Sequence, residues 1–405
     1  MKTSTTALSI FTALLLTSSA FASEATELEA LKQEVKELRE MTNTLVDETS
    51  DLKTGFSYTT VDTQKSHSGL GSAASKVYYS KSPLSIGGYG EMYYAQTTEG
   101  DAKVDVYRFV PYIGYKFSDN IILNVELEFE HGGVKDGAAG DGYVVVEFMY
   151  LDFLLNKNAN LRVGNMLMPM GLINEKHEPT LFTTVQRPNT EKTLIPSTWH
   201  ESGVMAYGEI AEGLSYRLGG FTALDLSMGA GKGDSWLRDS RIGSFGDTQR
   251  DDLGLGVVAR VDYTGINGLL VGASGYTDTH IKMYDIHADY KLDAMRLYGV
   301  YTQTTRSDAP SGEPESAKGG YINASYDMLS FTSWSEKMPL FVQYESVAAQ
   351  DTIAGGTSVA PKKTTTVGIN YFPHEQVVLK ADYAMQTQEN KTDLAIASVS
   401  MGFIF

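Results

Sequence analysis

The sequence predicts an all-β membrane protein, an antiparallel transmembrane β-barrel of about 16 strands with a short N-terminal α-helical coiled coil. Three observations lead to this fold class. Strand-like segments of about ten residues follow Pro83, a length that suits strands crossing a bilayer at a tilt. The connections alternate between short turns and longer polar loops. The chain ends on a strand, 393–405, that is apolar at every second residue up to Phe405.

The N-terminus, 1–22, is predicted to be a secretory signal peptide. Lys2 precedes an apolar run at 7–16, and an A-x-A cleavage pattern follows at 20–22. The apolar run is too short to cross a bilayer as a helix, which needs about 20 residues. We therefore expect export, with Ser23 as the mature start.

Residues 23–53 are predicted to form a periplasmic coiled coil. Its a and d positions are Leu28, Leu31, Val35, Leu38, Leu45 and Leu52. Thr42 and Thr49 interrupt the seam, which weakens association. A single amphipathic helix packed on another surface is the alternative. Residues 54–82 are rich in Ser, Thr, Gly and Lys and predict a linker.

The barrel is predicted over 83–405. Alternation is clear around Leu255 and Val257, which share one face, while Arg260 and Asp262 share the other. A wide barrel turns the apolar face to lipid and the charged face to a wet lumen, whereas a soluble sandwich does the reverse. The predicted strand cores are 84–96, 104–117, 121–131, 143–155, 160–168, 202–211, 213–224, 252–263, 268–278, 281–292, 294–305, 318–328, 338–347, 362–372, 376–387 and 393–405.

The connections favour the membrane barrel over the sandwich. Every second connection is short, and most of the others are longer and more polar, at 132–142, 169–201, 225–251, 306–317 and 348–361. Short turns at one end and long loops at the other are typical of transmembrane barrels. An even number of strands places both termini on the short-turn, periplasmic side.

The longest connection carries the strongest motif. It contains P-x-G at 169–171, R-P at 187–188 and I-P-x-x-W-x-E-x-G at 195–203. This pattern resembles Gram-negative outer-membrane porins of the phosphate- and carbohydrate-porin type, and equally a siderophore-uptake porin family with a coiled coil ahead of the barrel. The resemblance implies a sixteen-stranded, often trimeric barrel whose third extracellular loop narrows the pore. It also implies that the terminal Phe405 belongs to the signal that the barrel-assembly machinery recognises.

If the 169–201 loop folds inward, its charged residues form the constriction and filter ions by charge and size. These candidates are Glu175, Lys176, His177, Glu178, Arg187, Glu191, Lys192, His200 and Glu201. An outer loop that only covers the mouth is the alternative. Glu175, His177 and Glu178 have no known metal-binding spacing and are predicted to be solvated, so no metal site is expected.

Charged residues on the inward rows of the strands are predicted to line the pore. They are Arg108, Glu126, Glu128, Arg162, Arg217, Arg260, Asp262, Arg296, Glu345, Lys380 and Asp382. Phosphate-selective members of the resembled family use a ladder of arginines. Here arginines are scattered among more numerous acids, which puts phosphate selectivity in doubt.

Composition limits the function further. A formal net charge of -17 disfavours nucleic acid as a partner, and the lack of cysteine excludes disulfides and thiol chemistry. No catalytic motif is present, so we expect neither an enzyme nor a cofactor. The sequence predicts an outer-membrane porin, a passive diffusion channel for small hydrophilic solutes or ions, and does not identify the solute. The expected partners are outer-membrane lipids, small hydrophilic solutes and two further copies of the chain. A siderophore-uptake porin, a surface adhesin or structural barrel with a closed lumen, and a barrel enzyme are the alternatives.

Overall fold

A computed structural model describes residues 29, 31–46, 60–132, 134–135, 138–139, 142–242 and 254–405. The chain divides into two compact units, Met1–Ser57 and Tyr58–Phe405. The predicted signal peptide, 1–22, lies outside the described residues.

The N-terminal unit contains one described helix, α1, over residues 31–46, and all its side chains are exposed. The helix agrees with the sequence prediction. The coiled coil itself stays a prediction, because its seam would need helices from other copies of the chain. The ends of the predicted coiled coil, 23–28 and 47–53, lie outside the described residues.

The second unit is a closed antiparallel barrel in which each strand pairs with its neighbours in sequence. All sixteen predicted strand segments are confirmed. The barrel strands are β1 Leu84–Thr97, β2 Lys103–Ser118, β3 Ile121–Glu130, β4 Tyr143–Phe153, β5 Asn160–Leu167, β6 His200–Ala211, β7 Leu214–Thr222, β8 Leu255–Tyr263, β9 Leu269–Thr277, β10 Ile281–Leu292, β11 Met295–Arg306, β12 Pro314–Asp327, β13 Pro339–Ile353, β14 Lys362–His374, β15 Val377–Thr387 and β16 Leu394–Ile404.

Alternation along the strands sets the two faces of the barrel wall. In β8, exposed Leu255 and Val257 alternate with buried residues that include Arg260 and Asp262. The apolar row therefore faces outward and the charged row faces the lumen, as the membrane-barrel prediction requires.

The barrel closes where β1 pairs with β16. Gly88 and Phe405 exchange two backbone hydrogen bonds, each 2.9 Å long. The Phe405 ring stacks on Phe109 of β2, with 6.1 Å between ring centroids. A Cβ atom at Gly88 would lie 2.8 Å from the Phe405 ring, and φ of Gly88 is +154°, so glycine allows the ring to lie there.

Short elements lie in the segment before β1 and in the connections between strands. They are helix α2 Lys76–Tyr79, a π-helical turn Thr190–Leu194, helix α3 Leu226–Gly229, a 3-10 turn Gly233–Ser235, helix α4 Trp236–Asp239, a 3-10 turn Met328–Phe331, and a hairpin pairing Val134–Lys135 with Ala138–Ala139. Among the described residues, no helix has the length and apolar character needed to cross a membrane.

The structure differs from the sequence prediction at residues 60–82, which were expected to belong to a linker. Val61, Leu70 and Ala73 are nearly inaccessible to solvent, and helix α2 lies within this segment. Asn124 on β3 donates a 2.9 Å hydrogen bond to the Ala74 carbonyl oxygen. The sparse apolar residues lack a clear period, because they pack against inward-facing side chains of the barrel and not against their own helix or sheet.

Candidate functional site: the lumen and its inward-folded connection

The connection between β5 and β6, residues 168–199, folds into the lumen. Its backbone meets inward-facing side chains on strands far apart around the barrel. The Val185 N–H donates to Asp382 on β15 over 2.7 Å, and the Thr190 N–H donates to Glu345 on β13 over 2.6 Å. Gly171 donates to Asp285 on β10 over 3.0 Å. We call residues 168–199 the lumen connection.

Cations on the barrel wall also hold the lumen connection. Lys380 on β15 donates to the carbonyl oxygens of Phe182 and Thr184, over 2.9 and 3.0 Å. Arg108 on β2 donates over 2.8 Å to the carbonyl oxygen of His177. These two predicted pore-lining residues therefore satisfy backbone groups of the connection, which would otherwise be buried without partners.

Glu175, His177 and Glu178 are buried, so the prediction of a solvated loop at these residues is wrong. They also point in different directions. Glu175 faces Arg217, with 3.6 Å between the nearest charged atoms. His177 lies against Glu126 of β3, and Glu178 reaches the segment 60–82. The three side chains therefore do not form one metal site together.

Glu178 connects the lumen connection to the segment 60–82. Its Oε1 accepts backbone hydrogen bonds from Ala73 and Ala74, over 3.0 and 3.1 Å. A Cβ atom at Gly71 would overlap the Glu178 carboxyl group. Burial raises the pKa of Glu178 to about 7, although the two N–H donors favour its charged form.

Glu191 organises the connection internally. Its Oε1 accepts hydrogen bonds from the backbone of Leu172 and Ile173, over 2.9 and 3.3 Å, and from the Tyr321 hydroxyl of β12 over 3.3 Å. Burial raises its pKa to about 7. Glu191 thus fixes the first turn of the connection against the wall.

The other predicted constriction residues have different surroundings. Arg187 is buried and donates to the Tyr107 hydroxyl over 2.8 Å. Lys176 and Lys192 are half-buried, and burial lowers the pKa of each to about 8. His200 and Glu201 belong to β6, where Glu201 accepts hydrogen bonds from Trp199 and Thr222.

The predicted pore-lining charges all lie on the inward face, mostly in ion pairs. Arg162 pairs with Asp152 over 2.8 Å, and Arg296 pairs with Asp289 over 2.9 Å. Asp262 lies 2.8 Å from both Arg217 and Arg260. Glu126, Glu128 and Glu345 are also buried. Ion pairs within the lumen therefore neutralise much of this charge.

An apolar cluster accompanies these charges inside the barrel. Met168, Ile195 and Trp199 of the connection are completely buried, and inward-facing aromatic rings such as Tyr89 and Phe148 belong to the same cluster. The lumen of this barrel is therefore partly filled by a packed core.

The described part of the connection between β7 and β8, residues 223–242, adds a second inward contact that the sequence did not predict. The Trp236 indole donates to the carbonyl oxygen of Ala349 on β13 over 2.7 Å. Arg238 and Arg241 donate to carbonyl oxygens at 196–198. The segment was predicted to be an outer loop, and its isolated tryptophan was the available signal for burial.

The segment 60–82 lies in the lumen near the short-turn end of the barrel. His67 stacks on Tyr78, with 3.6 Å between ring centroids, and its Nε2 lies 3.0 Å from the Tyr207 hydroxyl of β6. Arg217 donates to the Ser68 carbonyl oxygen over 3.0 Å. We call residues 60–82 the N-terminal plug.

Two cavities, of about 600 and about 170 Å³, lie between the plug and the wall, and Lys176 lines both. Their cationic residues are Lys65, Lys157, Lys176, Arg217, Arg260, Lys291 and Arg296. Their acids are Glu209, Asp262 and Asp289. These cavities are cationic although the chain as a whole is acidic.

Sequence reasoning missed Glu147 as a lumen residue. Strict alternation along β4 places it on the lipid-facing row, but Glu147 and Phe148 are both buried. The register shifts opposite Glu126 and Leu127, which identifies a β-bulge at Glu147. The available signal was a single carboxylate in the apolar run Val144–Met149, since a charge facing lipid is costly.

Comparisons with known proteins give the family relation and the fold of the chain. A scan of protein families found no match to the chain. An uncharacterised protein of Aquifex aeolicus is 31% identical over 372 residues, which cover 84% of each chain. The chain belongs to the family of this Aquifex protein. The family relation assigns no activity.

Solved structures match the fold at low identity. OmpT of Vibrio cholerae, in a variant lacking loop L8, matches 80% of this chain and 99% of its own with a TM-score of 0.54 at 12% identity. An anion-selective porin of Comamonas acidovorans covers the same shares with a TM-score of 0.54 at 13% identity. Salmonella typhi OmpF covers 80% and 97% with a TM-score of 0.51 at 14% identity. The fold is that of Gram-negative outer-membrane porins.

Proposed function

We propose that the protein is an outer-membrane porin, a passive diffusion channel for small hydrophilic solutes or ions. The lumen connection forms its constriction. The observation that carries the proposal is that this connection crosses the lumen, with contacts to β10, β13 and β15. A connection that crosses the lumen narrows any path along the barrel axis, and charged groups beside such a path select ions.

The N-terminal plug narrows the path a second time, at the periplasmic end. Two features support this orientation: the plug lies near the short turns, and short turns face the periplasm in barrels of this kind. We infer that solutes pass the cationic cavities beside Lys176 and that the channel prefers small anions.

Planar-bilayer recording tests the channel and its preference together. We expect stepwise openings, with a reversal potential in a salt gradient that reports anion preference. Lys176→Glu should shift that potential toward cations, whereas Lys391→Glu, in an exposed turn, should leave it unchanged. A folded barrel that stays silent would contradict the channel, and cation preference in the unaltered protein would contradict the role of the cavities.

A structural barrel with a closed lumen is the second candidate. The buried apolar cluster around Met168 and Trp199 favours it, since the interior of a porin is usually polar and wet. Deletion of 60–82 separates the two proposals. A porin should conduct before the deletion and more strongly after it, whereas a closed barrel should be silent in both forms.

We further propose a homotrimer embedded in outer-membrane lipid and assembled by the barrel-assembly machinery. OmpT of Vibrio cholerae also matches in a trimer form, with a TM-score of 0.52 at 11% identity. The coiled coil would then be a periplasmic stalk that reinforces the trimer. Crosslinking of the protein in native membranes tests the number of copies.

A further inference from the structure

Three ionisable side chains meet where the lumen connection touches the barrel wall. Glu126 comes from β3, Glu147 from the bulge of β4, and His177 from the connection. The His177 Nε2 lies 3.3 Å from Oε1 of Glu126 and 3.7 Å from Oε2 of Glu147. Their potential ligand atoms all lie within 4.8 Å of one another, and all three residues are almost completely buried.

Within the described part of the chain, three of the four carboxylate oxygens of this cluster have no hydrogen-bond donor, whereas Oε1 of Glu126 accepts a hydrogen bond from the Tyr89 hydroxyl over 3.3 Å. Neither oxygen of Glu147 nor Oε2 of Glu126 accepts a hydrogen bond from the described residues. Leaving buried carboxylate oxygens unpaired is costly, and native structures rarely do so without water, an ion or another compensating group. The bulge aims Glu147 into this cluster, away from the lipid-facing row where alternation would place it.

The tautomer of His177 also indicates that a positive charge is missing between the two carboxylates. Nδ1 of His177 lies 2.8 Å from the carbonyl oxygen of Asn174, which can only accept, so Nδ1 carries a hydrogen. In a neutral ring, Nε2 then presents its lone pair toward two carboxylates.

A second buried histidine in the lumen shows how the chain compensates such a cluster with its own cations. His287 lies 2.6 Å from Asp285 and 2.9 Å from Asp262, but Arg260 also lies 2.9 Å from its Nε2. Among the described residues, no arginine or lysine forms a comparable ion pair with Glu126 or Glu147. Arg108, a nearby cation, pairs with Glu91 over 2.8 Å and donates to the His177 backbone.

We propose that Glu126, Glu147 and His177 bind one divalent metal ion of the zinc class. The donor set is one imidazole nitrogen and two carboxylate oxygens, which zinc accepts with bonds of about 2.0–2.2 Å. In a tetrahedron with such bonds, neighbouring donor atoms lie about 3.3–3.6 Å apart, close to the distances from Nε2. A water molecule completes the coordination. The ion cross-links the connection to β3 and β4, a role that does not depend on the proposed channel.

Metal analysis of the tag-free full-length protein tests the site. The protein is folded in detergent with EDTA, and the EDTA is removed. The protein is then equilibrated with Zn²⁺, separated from free metal by gel filtration and analysed by mass spectrometry. We expect about one zinc per chain. Glu147→Gln and His177→Ala should each lose most of it. His287→Ala removes the matched histidine and should retain it.

Spectroscopy on the unaltered protein keeps the test independent of how the variants fold. Co²⁺ in place of Zn²⁺ should give visible absorption of a four-coordinate site, and X-ray absorption should give a nitrogen and oxygen shell with histidine scattering. Folded protein that binds no metal would overturn the proposal. The proposal would also be overturned if Glu147→Gln and His177→Ala each bound as much zinc as the unaltered protein, with folding confirmed by heat-modifiable migration. The metal would then lie elsewhere.

Discussion

At the scale of single residues, Phe405 is held by its neighbours on both sides. Its backbone pairs with Gly88 of β1, and its ring stacks on exposed Phe109 of β2. The ring therefore lies on the lipid-facing side of the seam that closes the barrel. The same residue is the proposed assembly signal.

Phe405→Asp should lower the amount of protein in the outer membrane several-fold, because it removes the terminal aromatic and places a charge beside lipid. Folding in detergent should persist, since the backbone pairing with Gly88 does not need the ring. Quantitative blotting of outer-membrane fractions measures the effect, with Phe331→Asp, an exposed aromatic outside the strands, as the control. Normal surface levels of the Phe405 variant would remove the assembly-signal argument.

Glu178 gives the contact between connection and plug a pH dependence. Its pKa is raised from 4.5 to about 7, so its neutral form is favoured in the folded protein. The stability that the buried, neutral Glu178 contributes is fully present below about pH 4.5 and is lost as the pH rises through about 7. We therefore expect the plug to cover the Glu178 carboxyl group less stably at pH 8 than at pH 5, because burial disfavours the charged form.

Hydrogen exchange measures this expectation at the plug amides. After correction for intrinsic rates, the free energy of opening at 70–78 should fall from pH 5 to pH 8. Glu178→Gln cannot titrate and should flatten the profile while keeping an oxygen that accepts one N–H. An unchanged slope in that variant would assign the pH dependence to another group.

At the scale of elements, the lumen connection is held by hydrogen bonds to the wall and by its own buried apolar residues. Its charged side chains mainly form hydrogen bonds that hold it in place, as Glu191 does with the backbone at 172–173. Such a connection is a folded part of the barrel. Removing it should open the lumen and also release the plug from Glu178.

Deletion of most of 172–196 should increase single-channel conductance and weaken ion selectivity, because the path widens and charges beside it are lost. The comparison is deletion of 307–312, an outer turn between β11 and β12. Single-channel current in planar bilayers is the measurement. If the deleted protein folds and its current is unchanged, the solute path avoids the connection.

At the scale of the whole molecule, the barrel wall has two faces. The outer face is apolar and suits lipid, and the inner face lies against the packed interior. Exposed Leu255 and Val257 belong to the first face, and buried Arg260 and Asp262 to the second. Helix α1 forms part of a separate unit, with Leu38 55% exposed. We expect its apolar row to pack against other copies of the helix.

Leu38→Asp should lower the temperature at which the proposed trimer dissociates. The seam is short and already weakened by Thr42, and a charge within it opposes helix association. Barrels packed side by side would raise the local concentration of the helices, so a weak seam suffices. Semi-native electrophoresis over a temperature series measures dissociation, with Glu37→Gln as a control outside the a and d row. The conductance of each surviving pore should not change, and altered permeation with intact trimers would make the helix a gate.

The sequence by itself determined the barrel. Alternation in segments such as 255–263 repeats every two residues, and the alternating turn lengths fix which strands are neighbours. These are local signals, so strand number, closure and the outward face could be predicted together. The inward rows that contain Arg108, Arg260 and Lys380 followed from the same period.

Only the tertiary structure decided what fills the lumen. The partners of Glu178 lie about a hundred residues away in the plug, and no period in 60–82 predicts burial against a curved wall. Glu147 turns inward because one extra residue forms a bulge, which breaks the period that the prediction uses. The meeting of Glu126, Glu147 and His177 therefore depends on strand register and on the path of the connection, both of which are set by contacts distant in sequence.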